Sequence, residues 1–231
     1  MIDQNRHRFY MVQILKDIYS DLDLANSLGF KGGTALMFFY GLPRFSVDLD
    51  FNLIKQENEE LVYTKLRKIL LKYGTIYDEA RKYFGPIVVL DYGKNERKLK
   101  VEVSNRQFEN SYEIKNLLGI SMKVMQEKDM FAHKLCALLD RTPMANRDIF
   151  DSWFFMQKQT PVNIALVEIR MNMSWQDYLH SILNVIEKKA PKGLFDGLGE
   201  LVDHKSKIFV KKDLLPETIR LLKFYKEFPI T

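Results

Sequence analysis

The chain has 231 residues, 35 of them Lys or Arg and 30 Asp or Glu, for a formal net charge of +5. Its single cysteine, Cys136, excludes an internal disulfide and a zinc site built on cysteines. A hydrophobic share of 46% is enough for a folded core, but no run approaches the ~18 apolar residues of a membrane span, and the start MIDQNRHRFY lacks the apolar core of a signal peptide. A soluble, cytoplasmic protein is expected, with no membrane partner. Its mildly basic balance permits contact with nucleotides or nucleic acid.

Met11, Leu15, Ile18 and Leu22 recur at helical spacing within residues 6–28. Gly32 and Gly33 break that pattern, and Thr34 is placed to cap a following helix that carries Leu36, Met37, Phe39 and Tyr40. Gly41 and Pro43 stop it. Residues 47–54, VDLDFNLI, alternate strictly, with Val47, Leu49, Phe51 and Leu53 on one face and Asp48, Asp50 and Asn52 on the other. This predicts a half-buried strand with an acidic face. Residues 57–73 read as a helix with Leu61, Leu66, Ile69 and Leu70 inward. Residues 86–91 and 98–104 read as strands joined by the polar turn YGKNER, and 105–120 as a loop. Beyond about residue 121 the strand signal fades, and 124–140, 146–158, 163–171, 174–189 and 213–227 read as helices. The expected class is α+β, a sheet domain over residues 1–118 followed by a helical domain over 119–231.

The stretch Lys31–Phe51 carries the chemistry. On a strand, residues i and i+2 point the same way, ~6.6 Å apart at their Cα atoms. Asp48 and Asp50 so placed offer hard oxygen ligands to a divalent cation, magnesium first and manganese as the alternative. Gly32 and Gly33, with Thr34 at a helix start, would let backbone amides approach phosphate oxygens. Arg44 and Ser46 would contact phosphate or fix the loop. Together these read as a metal-dependent nucleotide site. The alternatives are a solvated acidic strand face, a simple glycine turn, and an Arg44 that pairs with Asp48. The sequence has no G-x-x-x-x-G-K-[ST] and no G-x-G-x-x-G, which disfavours a P-loop ATPase and a dinucleotide-binding sheet.

The order Gly-Gly-Thr, apolar helix, Arg-x-Ser, Asp-Leu-Asp-Phe resembles the first motif of the DNA polymerase beta-like nucleotidyltransferase superfamily. More narrowly, KGGTAL…YGLPRFSVDLDF together with residues 127–151, EKDMFAHKLCALLDRTPMANRDIFD, resembles the AbiEii-type abortive-infection toxins of type IV toxin–antitoxin systems. The matching segments cover roughly residues 30–54 and 98–151. The resemblance implies a nucleotidyltransferase fold, mixed sheet then helices, with the active site in the cleft between them. It implies a third carboxylate on a later strand, for which Glu102 on the polar face of KLKVEVSNR is the candidate, as a ligand to the metal nearer the acceptor hydroxyl. It also implies that Lys134 offers a cation to the triphosphate and that Asp148 belongs to the active-site group. Arg141 and Arg147 become candidate phosphate or acceptor contacts, and Asp151 shares a helix face with Asp148. The activity implied is transfer of a nucleoside monophosphate from a triphosphate to an acceptor such as the 3′ end of a transfer RNA, restrained by a cognate antitoxin. The alternatives are the same chemistry on a protein or small molecule, or a non-catalytic nucleotide- or RNA-binding relative.

Bland readings stand beside these. Glu102 could pair with Lys98 or Lys100, Lys134 could sit beside Glu127 or Asp140, and Asp148 could be a helix N-terminal charge. Cys136, Trp153 and Trp175 read as core. Lys188, Lys189 and Lys192, then Lys205, Lys207, Lys211 and Lys212, form basic clusters that are solvated faces or phosphate contacts.

Overall fold

The computed structural model describes residues 2–189 and 193–230, so Lys192 lies outside the described residues. The chain divides into two units. The first comprises residues up to Gly41, Phe45–Gln107 and Ser111–Met125; the second comprises Leu42–Arg44, Phe108–Asn110 and the chain from Gln126 onward.

The first unit opens with α1 (Gln4–Ser20), capped by the Asp3 carboxylate, which accepts from the Arg6 N–H. The long helix expected over 6–28 is broken. Asp21 accepts from the N–H groups of Asp23 and Leu24 and restarts the chain as α2 (Leu22–Ser27). The restart turns Leu22 out to solvent and buries Leu24 and Leu28 instead. Strand β1 (Leu28–Lys31), too short to show a period, leads directly into α3 (Gly32–Phe39). The acidic strand is β2 (Leu49–Leu53). A single 3-10 turn, Gln56–Asn58, precedes α4 (Glu59–Leu70), where Val62 is buried and Leu61 is exposed, against expectation.

Strands β3 (Thr75–Lys82), β4 (Gly85–Asp91), β5 (Leu99–Ser104), β6 (Tyr112–Leu117) and β7 (Ile120–Met125) complete the unit. They form one seven-stranded sheet in the order β3-β4-β5-β2-β1-β7-β6. It is mixed: β2 pairs parallel with β5 and β1 with β7, and the other neighbours are antiparallel. Besides the short β1, three strands escaped the pattern reading for physical reasons. β3 is an edge strand, mostly exposed, so TIYDEARK carries no apolar alternation. The β6–β7 hairpin lies where a loop was expected; its turn is Leu118-Gly119, both at positive φ, and leucine there gives none of the usual Asn-Gly signal.

The second unit is helical: α5 (Glu127–Asp140), α6 (Asn146–Gln157), α7 (Ile164–Met171), α8 (Trp175–Ile186), α9 (His204–Lys212) and α10 (Leu214–Glu227). Of these only α9 was unforeseen. HKSKIFVKK has too few apolar residues to show a stripe, and its start is fixed by the Asp203 carboxylate accepting from the Ser206 N–H. The core is aromatic. Phe131 stacks on Phe155 at 5.0 Å and meets the edge of Tyr225 at 5.8 Å; Cys136 and Trp175 are buried as expected, whereas Trp153 is half-buried, its ring against Phe209. Burying each such aromatic ring contributes ~2–3 kcal/mol. The fold class is therefore α+β. Among the described residues no helix is long and apolar enough to cross a membrane.

Candidate active site

Three carboxylates come together on the sheet of the first unit. Asp48 and Asp50 lie two residues apart at the start of β2. The parallel register of β2 and β5 sets Asp50 directly beside Glu102. Residues so paired point to the same face, so the candidate third carboxylate stands next to the Asp-x-Asp pair. All three are half-buried.

The glycines serve Asp50. Gly32 sits at φ +79, and a Cβ there would lie 2.5 Å from Asp50 Oδ2. Only glycine lets the start of α3 run this close to that carboxylate. Gly32, Gly33 and Thr34 are the first three residues of α3, so their N–H groups lack partners inside the helix. Thr34 is not the cap that was expected; the cap position is Lys31. The Thr34 hydroxyl instead donates to the backbone carbonyl of Asp48.

The segment before β2 is held at one more point. His7 is fully buried on α1 and bonds through Nε2 to the Val47 carbonyl at 2.8 Å and through Nδ1 to Tyr92 Oη at 2.6 Å. A carbonyl only accepts, so Nε2 carries the proton and the tyrosine hydroxyl donates to Nδ1. Burial lowers the His7 pKa, outweighing the Val47 bond that raises it. Ser46 is buried in the same segment.

Two lysines complete this face. Lys100 Nζ lies 2.8 Å from Glu102 Oε2 and 3.7 Å from Asp48 Oδ2. Lys98, the other partner considered for Glu102, pairs with Asp91. Lys31 lies opposite Asp50 in the β1–β2 register. Burial alone would lower the Lys100 pKa, but Asp50, Asp48 and Glu102 raise it. Burial likewise pushes Glu102 up, and the bond and charge of Lys100 outweigh it and hold the carboxyl low. Asp50 goes the other way: burial, helped by the charges of Asp48 and Glu102, raises it despite Lys100. The pair Lys31 and Lys100 was missed as part of the site. The signal was there, since Lys100 shares the polar face of its strand with Glu102 and Lys31 immediately precedes the glycines.

Asp48, Asp50 and Glu102 are hard oxygen donors of the kind magnesium takes, so the donor set fits the ion in its chemistry. Among the described residues, however, no three His, Cys, Asp or Glu side chains close around one cation position.

The remaining predicted residues gather in the second unit as a closed ionic cluster. Arg44, for which Asp48 was the carboxylate considered, pairs with Asp151. Its Nε and Nη2 donate to Asp151 Oδ1 and Oδ2 at 2.6 and 2.7 Å. Lys134, on α5, lies 2.7 Å from Asp151 and 3.0 Å from Asp148, both on α6, rather than beside Glu127 or Asp140. Arg141 reaches the other oxygen of Asp148 at 2.8 Å. The side chains of Asp148 and Asp151 are 1% and 0% exposed. Asp148 does lie in the first turn of its helix, but it is buried and paired rather than a surface charge. Burial works to raise Asp151, and Arg44 and Lys134 override it, bringing its pKa down to about 2. Burial works to lower Lys134, and the two aspartates override that too, so its pKa is raised. Arg147 is half-buried.

The family model "Nucleotidyl transferase AbiEii toxin, Type IV TA system" matches residues 13–174. The chain belongs to this family. It is thus a nucleotidyltransferase of a toxin–antitoxin type, with a nucleotide substrate and a cognate antitoxin as the partners its membership implies. Several solved structures share the fold, among them these three. A candidate nucleotidyltransferase from Helicobacter pylori is 23% identical, covering 98% of this chain and 96% of its own, with a TM-score of 0.65. JHP933 from Helicobacter pylori is 21% identical over 97% and 92%, with a TM-score of 0.59. MenT4, a nucleotidyltransferase toxin from Mycobacterium tuberculosis, is 18% identical over 97% and 90%, with a TM-score of 0.54. No curated protein matches the AbiEii-family chain.

Proposed function

We propose that this chain transfers a nucleoside monophosphate from a nucleoside triphosphate to the 3′ end of an RNA, such as a transfer RNA, and does so with a divalent cation held by Asp48, Asp50 and Glu102. The observation that carries the reading is the register of β2 and β5, which sets Glu102 beside Asp50 on the face that also carries Asp48. When bound, magnesium, or manganese in its place, supplies Lewis acidity to phosphate oxygens and lowers the pKa of an attached hydroxyl.

The rest is the work of the chain. The N–H groups of Gly32, Gly33 and Thr34 donate to the β- and γ-phosphate oxygens at the start of α3, where the helix dipole favours negative charge. Lys31 and Lys100 balance charge on the same face. Glu102, kept ionised, accepts the proton of the attacking hydroxyl. The acceptor oxygen then bonds to the α-phosphorus as the bond to the leaving pyrophosphate breaks. Ser46 fixes the segment that enters β2. Lys134 and Asp148 pair with each other in the second unit and belong to its ionic frame. Arg44 and Asp151 hold those two in place.

The test is transfer of label from each of the four α-labelled triphosphates to total RNA with magnesium, for wild type and for Asp48→Ala plus Asp50→Ala. Label on RNA of transfer-RNA size, in wild type alone, is the expected result. Label that enters only protein or a small molecule removes the RNA acceptor. Tight nucleotide binding with no pyrophosphate released from any mixture removes the catalytic reading.

A further inference from the structure

The β3–β4 hairpin carries two large aromatic side chains into solvent at its tip. Tyr83 is 89% exposed and Phe84 is 47% exposed. Their rings meet edge to face at 4.9 Å. The Arg106 guanidinium lies over the Phe84 ring, 3.8 Å from its centroid. The tip thus presents two adjacent rings and a cation together.

The tip is not a loose loop. Gly85 has φ +105, and a Cβ there would lie 2.1 Å from the Val103 carbonyl oxygen, so the tip is pressed against the end of β5. The Asn105 N–H donates to the Phe84 carbonyl at 3.1 Å, and the Asn105 side chain donates to Glu59 at 3.0 Å. The same short segment thus anchors the tip and presents Arg106.

The register says which way it faces. Ala80 pairs with Ile87, and Ile87 with Glu102. Directly paired residues share a face, and so does every second residue along a strand. Lys82 therefore lies on the side of the sheet that carries Glu102 and Asp50.

A guanidinium stacked on an aromatic ring and a second exposed ring, at the end of the strand that carries Glu102, with a lysine on the Glu102 side of the sheet, match what single-stranded nucleic acid needs. Bases stack on the rings and cations meet the phosphates. A duplex hides its base faces, so unpaired bases are the fit. We propose that Tyr83, Phe84 and Arg106 form a stacking platform for the unpaired terminal bases of the RNA acceptor, with Lys82 meeting its backbone. This rests on the reading above that the acceptor is an RNA end.

The test is direct binding, by fluorescence anisotropy, of a short labelled single-stranded RNA of mixed sequence, without nucleotide or divalent cation. Its outcome is then separate from catalysis. Tyr83→Ala plus Phe84→Ala should weaken binding roughly tenfold per stacked base. Arg106→Lys, which keeps the charge and loses the planar stack, should weaken it less. Wild type should also bind more weakly to the same RNA made abasic at its 3′ end, and the double variant should no longer tell the two RNAs apart. That loss of discrimination is something a merely unfolded tip would not mimic without also lowering the melting temperature. Equal affinity of wild type and double variant for intact RNA overturns the proposal, as does wild type that ignores the abasic change. Loss of binding to a protein partner with RNA affinity intact would assign the hairpin to that partner instead. A platform that passes this test while label transfer fails leaves the proposed activity, not the platform, in error.

Discussion

The chain gathers aspartates and basic side chains twice, and the two gatherings are opposites. On the sheet of the first unit Asp48, Asp50 and Glu102 are half-buried, with Lys100 reaching two of them. In the second unit Asp148 and Asp151 are sealed, their oxygens bonded by Arg44, Lys134 and Arg141. A half-exposed carboxylate keeps lone pairs for a ligand. A buried one has its bonding used up and becomes part of the frame, since leaving such a charge unpaired is costly. Under the proposed activity the same residue types divide between chemistry and support, and burial decides which.

The sharpest way to break this comparison is to exchange the two kinds of aspartate. Asp50→Asn should abolish transfer, exceeding the ~100-fold typical of losing a group that merely orients a ligand, with the melting temperature little changed. Asp151→Ala should do the reverse at first order. It removes both bonds that the buried Arg44 guanidinium makes to Asp151 and leaves Lys134 with one carboxylate fewer, and should cost about 3–5 kcal/mol of stability by urea unfolding. If Asp151→Ala is as stable as wild type, the frame role is wrong.

Gly32→Ala comes next in size, because it joins the two themes in one position. It forces alanine to φ +79 and drives a methyl to 2.5 Å from Asp50 Oδ2. The strain should cost ~1–3 kcal/mol, and transfer should fall by more than the lost stability accounts for. Activity that stays at the wild-type level would show that Asp50 has no fixed place to keep.

Much of this was written in the sequence, and the reasons differ by residue. Asp48 and Asp50 were legible because strict alternation in VDLDFNLI declares both the strand and its acidic face. Glu102 was legible in its face but not in its partner, since nothing local says that β5 lies parallel beside β2. The ionic cluster of the second unit was legible only as a set of residues. Arg44 and Asp151 are 107 positions apart, and local pattern offered Asp48 as the nearer carboxylate. Thr34 looked like a cap because Ser and Thr often are, yet the hydroxyl found a better use in tertiary contact. His7, alone among polar neighbours, gave no sign that it would be buried.

Acid should sharpen the comparison in a smaller way. Burial lowers the His7 pKa from 6.5, so its contribution to stability is present above about pH 6.5 and is lost as pH falls below it. Asp151 is lowered from 3.8 to about 2, so its contribution is present above about pH 3.8 and is lost only as pH falls from there toward 2. The first unit should therefore loosen at higher pH than the second. Trp153 and Trp175 both lie in the second unit, so tryptophan fluorescence reports that unit alone, and amide exchange in β2 reports the first. His7→Phe should remove the early step in β2 exchange. Simultaneous loss of both signals near pH 3 would mean that His7 does not set the acid limit of the first unit.

The smallest expected effect tests how finely Asp48 is held. The Thr34 hydroxyl donates to the Asp48 carbonyl, and His7 bonds the carbonyl one residue earlier. Two successive carbonyls are thus tied to α1 and α3. Thr34→Val keeps the shape of the side chain and removes the donor, so it should cost ~0.5–1.5 kcal/mol. Thr34→Ser keeps the donor and should restore most of that loss, apart from the missing methyl. The informative quantity is the turnover rate of the two variants at equal folded fraction. If valine slows transfer and serine does not, the hydroxyl aims the carboxylate as well as stabilising the turn. If both variants turn over like wild type, the strand alone fixes Asp48, and the bond to Thr34 belongs with the frame.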